Sequence, residues 1–200
     1  METVDQAPTA SLNARVSAVA LVVGAIAQVV LSSLGAALTP LRILTLGICT
    51  LGVWAFCDEM GMRKPLIRAG FVAFILAEFS RTSALVDPQS LAIGRHYVLY
   101  AFAIMIALLL WSVAFLHRQR ELKVAGAIGA AATIAPILAM IVGHIALGAG
   151  AVYGIGSLMA AADGAQLNDY SFIKALDLLF AIWACMSAWF LWRGHIQAGK

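Results

Sequence analysis

Long unbroken apolar runs, separated by short charged intervals, set the architecture of this 200-residue chain. A membrane-spanning helix needs roughly 17–25 mostly apolar residues. Runs of about that length fall near residues 15–38, 41–58, 65–85, 95–117 and 171–192. A sixth interval differs. Residues 124–162 hold 39 positions without one Asp, Glu, Lys or Arg, and carry Pro136 and seven of the 17 glycines. That length is too great for one ordinary span and tight for two. None of the runs alternates apolar and polar positions at period two, as a membrane β-barrel requires. The backbone must therefore satisfy its own hydrogen bonds within helices. The pattern predicts an all-α, polytopic membrane helical bundle of about six transmembrane helices.

Punctuation sharpens the boundaries. Residues 1–14 are polar and read as a short disordered cytoplasmic tail. Their acidic character, and the length of the run after Arg15, argue against a secretory signal. Residues 15–193 form a single transmembrane domain, and residues 194–200 a second cytoplasmic tail. Pro40 is placed to open the second helix, and Ser171 to cap the last.

Charge decides orientation. With six spans and the N-terminus in the cytoplasm, nine of the 13 Lys and Arg fall inside and four outside or in the outer half. The positive-inside bias then places both termini in the cytoplasm. Tyr97 and Tyr100 would sit at the outer interface, and Trp189 and Trp192 at the inner one. Seven crossings would reverse the bias for the final segment. Residues 124–147 are accordingly read as the fifth span, bent at Pro136. Residues 148–162 become a glycine-rich re-entrant or interfacial helix on the outer side, whose Gly150-x-x-x-Gly154 spacing permits close backbone approach.

Composition agrees and narrows the class. The chain is 62% hydrophobic and 12% charged, with a mean hydropathy of +0.93; soluble domains average about 25% charged. An integral protein of a bacterial inner (plasma) membrane is expected, with the lipid bilayer as its first partner. The net charge of +3 is scattered along the loops, with no nucleic-acid signature. Cys49, Cys57 and Cys185 all fall in or beside spans without a CxxC pair, so they read as apolar thiols.

The chemistry must lie with the ionisable residues inside the spans, each costing at least ~2.5–3.5 kcal/mol to insert. Glu78 and Arg81 share a face of the third span. Asp177 lies in the outer part of the sixth, with Lys174 three residues before it. His144 lies near the outer end of the fifth. Glu78, Arg81, His144 and Asp177 are the candidate residues binding a substrate in an outward-facing polar pocket. Local pairing, Glu78 with Arg81 and Lys174 with Asp177, is the simpler reading of the same residues.

Two further patterns bear on enzymatic roles. His96 and His144 lie at similar depth on neighbouring spans, and His117 and His195 both lie at the cytoplasmic edge. Facing imidazoles of this kind are what a b-type haem needs, making His96 and His144 the candidate axial ligands. Separately, Asp58-Glu59-x-x-x-Arg63 is similar to the Glu-Glu-x-x-x-Arg motif of the intramembrane CAAX-protease-like family, in which the acids activate water. That resemblance covers six residues. The family's later histidine patterns have no counterpart, since His117 is followed at the fourth position by Glu121 and His144 by Gly148.

The balance is against an enzyme, and no cofactor or metal is expected. The leading expectation is a protein that binds or translocates a small solute or ion. The alternatives are a non-catalytic membrane subunit, with other membrane subunits as partners, and a b-type haem redox protein.

Overall fold

The computed structural model describes residues 11–33, 39–87, 92–118, 120–147 and 171–196; the side chains of residues 33, 136–137 and 139–147 fall outside that set. Six helices make up the described chain: α1 (Leu12–Ser33), α2 (Thr39–Met60), α3 (Pro65–Val86), α4 (Ile93–Leu116), α5 (Arg120–Leu147) and α6 (Ser171–Trp192). There is no strand among the described residues. Five of them, α1 to α4 and α6, are long and apolar enough to cross a membrane. The 28-residue α5 is uncharged beyond Lys123 and runs unbroken through Pro136. The chain is an integral membrane helical bundle. The expected re-entrant helix at residues 148–162 lies outside the described residues.

Local chemistry sets the helix ends. Pro65 begins α3, where its missing N–H costs nothing. The end of α2 turns at Gly61, whose φ of +93° lies in the left-handed region that glycine enters without strain. The end of α6 closes in a Schellman motif. Gly194 has φ +72°, its N–H bonds to the Leu191 carbonyl at 3.1 Å, and the His195 N–H bonds to the Phe190 carbonyl at 3.0 Å. At the α4–α5 corner, Arg118 donates to the Met60 carbonyl at 2.8 Å, placing a cation on a helix C-terminus where the dipole favours it.

The helices pack as a closed ring in which α6 touches α1, α2, α4 and α5, while α3 joins α2 to α4. Small residues bring backbones together, as expected where lipid removes any hydrophobic drive between helices. A Cβ on Gly24 would stand 2.6 Å from the Cys49 Cα, and one on Gly52 would stand 2.5 Å from the Leu21 nitrogen. Those two glycines set the α1–α2 distance. One half of the interior is aromatic: Trp111 stacks on Trp183 with centroids 4.8 Å apart, and Phe56 meets both edge-on. The outer surface carries many large apolar side chains, with Val16, Leu51, Val72, Phe79 and Ile182 all exposed. Only a lipid solvent accommodates so broad an apolar surface.

Candidate functional site

Beyond the aromatic half, toward the N-terminal ends of α2, α4 and α6 and the C-terminal end of α3, the interior turns polar. Arg81, Tyr100 and Asp177 are buried there, at 3%, 1% and 2% exposure. They lie roughly 8–10 Å along their helices from the nearest ends, at 1.5 Å rise per residue. The Arg81 Nη2 donates to Asp177 Oδ2 at 2.8 Å. Tyr100 donates its hydroxyl to Asp177 Oδ1 at 2.5 Å and accepts from Arg81 Nη1 at 3.3 Å. The guanidinium also lies 5.1 Å from the centre of the Tyr100 ring. Three helices, α3, α4 and α6, thus close a triangle around one buried ion pair.

This pairing replaces the local one that spacing suggests. Lys174 is exposed, while Asp177 turns inward among Phe172, Ile173, Leu176 and Phe180. The described hydrogen bonds of Arg81 go to Asp177 and Tyr100. Glu78, one turn earlier on the same face, is buried, and its Oε2 has no hydrogen-bond partner among the described residues.

Further polar groups extend the layer toward α1 and α2. Gln28 of α1 donates to Thr45 Oγ1 at 2.7 Å and to the Arg42 carbonyl at 3.1 Å. The Nε of half-buried Arg42 is enclosed without a partner among the described residues. Its charge lies within electrostatic reach of Arg81, Tyr97 and Asp177, so half-buried Arg42 borders the layer.

Of the residues expected to form a site, Glu78, Arg81 and Asp177 meet in one layer. His144 is carried by α5, and its side chain lies outside the described residues, as therefore does any pairing with His96. His96 is half-buried in the first turn of α4. His117 bonds the Val113 carbonyl at 2.9 Å, and His195 Nε2 lies 3.5 Å from Glu121. Among the described residues no cluster of three or more His, Cys, Asp or Glu could hold a metal ion. Asp58 and Arg63 are exposed at the α2–α3 corner, where Asp58 offers its carbonyl to the Gly61 turn.

Tyr100 and Arg42 are the members that sequence reasoning missed. Tyr97 and Tyr100, expected at the membrane interface, are both buried in the bundle. The available signal was position: Tyr100 stands seven residues into α4, and Asp177 six into the parallel α6. Trp189 and Trp192 are exposed.

The layer concentrates charge where charge is costly. Burying an ion costs several kcal/mol even after relaxation, and mutual attraction offsets this only with good geometry and further hydrogen bonds. The Arg81–Asp177 pair has both. Glu78 Oε2 and Arg42 Nε have no hydrogen-bond partner among the described residues. No family model, curated protein or solved structure matches the chain, so the fold and this layer alone define its class: a membrane-spanning helical bundle with an intramembrane ion pair.

Proposed function

We propose that this protein binds or translocates a small solute or ion through the polar layer, in a bacterial inner membrane with both termini cytoplasmic. Glu78, Arg81 and Asp177 form the binding groups, and His144 is the contribution of α5. One observation carries the reading: Glu78 is buried beside a complete ion pair, and its Oε2 has no hydrogen-bond partner among the described residues. Ionisable groups that face a bundle interior usually mark ion or substrate pathways. A carboxylate with open acceptor positions is the group in this layer best suited to take up a proton or cation. The Arg81–Asp177 pair supplies a fixed field beside it, anchored by Tyr100.

The test is flux. Reconstituted into liposomes under a potassium diffusion potential, the protein is assayed for proton, sodium and potassium movement. Wild type should exceed empty liposomes for at least one ion, and Glu78→Gln should bring that rate down to the empty-liposome level. Equal rates in wild type and Glu78→Gln, or no flux of any of the three, would count against the reading.

A further inference from the structure

At the opposite end of the bundle from the polar layer, a groove of about 300 Å³ runs between α1 and α6. Its walls are two stripes at helical spacing. Ala18, Val19 and Val22 line it from α1, and Ala188, Trp189 and Trp192 from α6. Each stripe continues to an arginine, and the two arginines lie at the same end of the groove. Arg15 precedes Ala18 by three positions, and its guanidinium stands 5.5 Å from the Trp192 ring centre. Arg193 follows Trp192, and its guanidinium stands 4.4 Å from the Trp189 ring centre.

Both arginines are exposed. The ion pairs found among the described residues involve Arg81 and His195 and leave these two without a carboxylate. Stacking on indole rings holds a guanidinium in place while leaving its N–H fork open. That fork matches a phosphate. Below the arginines the lining is apolar. Val22 and Val23 are shared with a second apolar groove of about 480 Å³ between α1 and α2. The trough therefore continues along α1 away from the charged mouth.

A cationic mouth on an apolar trough has the complement of a lipid, not of another helix. We propose that the α1–α6 groove binds one anionic phospholipid. Its phosphate sits between Arg15 and Arg193, and an acyl chain lies along Ala18, Val22 and Ala188. A zwitterionic lipid carries the same phosphate, but its ammonium group opposes two fixed positive charges. The site is separate from the polar layer and stands whether or not that layer passes an ion.

Native mass spectrometry of the full-length protein in mild detergent tests this. Phosphatidylglycerol and phosphatidylcholine of matched chains are added in equal amounts. Wild type should retain phosphatidylglycerol preferentially. The double variant Arg15→Gln, Arg193→Gln should lose that preference roughly tenfold, since each cation near an anionic headgroup contributes to binding. Val19 is half exposed, so Val19→Trp fills the groove from its rim without entering the core, and it should reduce retention with both arginines intact. Equal retention of the two lipids by wild type would overturn the proposal. So would an unchanged preference in the double variant, or unchanged retention in Val19→Trp.

Discussion

Arg81 of α3 and Asp177 of α6 meet at 2.8 Å inside the bundle, although 96 residues separate them in the chain. Their nearest charged neighbours in sequence, Glu78 and Lys174, take no part in the pair. A long-range bridge of this kind fixes how α3 and α6 are rotated toward each other. It should also couple the two residues energetically.

Removing one partner should therefore cost more than removing both. Asp177→Ala leaves the Arg81 guanidinium buried and uncompensated, a loss of about 3–5 kcal/mol. Replacing both with apolar residues of similar size, Arg81→Met with Asp177→Leu, should restore much of that loss. Thermal unfolding in detergent of the two singles and the double gives the coupling. Additive effects would mean the pair is not a unit.

Tyr100 tests the geometry of the same triangle more gently. Tyr100→Phe keeps the ring under the guanidinium and deletes the hydroxyl bonded to both charges. Hydrogen bonds to charged groups contribute about 1.5–3 kcal/mol each, so a loss near that range is expected in the same unfolding assay. If Tyr100→Phe is as stable as wild type, the hydroxyl is not completing the pair.

Much of this architecture could be read from the chain, and the reason it stopped short is physical. Six helices follow from six apolar runs, because the bilayer demands both length and apolarity. Glu78, Arg81 and Asp177 could be brought to one depth by counting residues from the span ends. Which of them bond could not, because bonding depends on helix rotation. In water an apolar stripe reveals rotation. Here lipid and core are equally apolar, so α3 shows no such stripe: exposed Phe79 stands beside buried Glu78 and Ser80. Tyr100 was misplaced for the same cause, since an aromatic near a span end fits an interface as well as an interior.

The α1–α2 contact predicts a contrast between two glycines of the same helix. Gly47 has open space where a Cβ would project, whereas Gly52 faces the Leu21 backbone. Gly47→Ala should be neutral or stabilising by up to about 1 kcal/mol, since alanine is the better helix former. Gly52→Ala must push α1 away and should cost about 1–3 kcal/mol. Unfolding measurements that rank the two alike would show that α1 and α2 do not approach so closely.

Topology carries the last expectation. Arg15 lies over Trp192, so the start of α1 and the end of α6 share one face of the bundle. Six alternating crossings give that arrangement. Among the described residues Arg15, Arg63, Lys64, Arg68, Arg118, Arg120, Lys123 and Arg193 lie at this end of the bundle, and positive residues are retained on the cytoplasmic side. A fluorescent reporter that matures only in the cytoplasm should be active when fused to either terminus. A reporter active only outside the inner membrane should be silent at both. Activity of the outside reporter at both termini would invert the orientation while leaving the bundle intact. Activity at one terminus alone would contradict the Arg15–Trp192 contact itself, and with it the shared mouth of the α1–α6 groove.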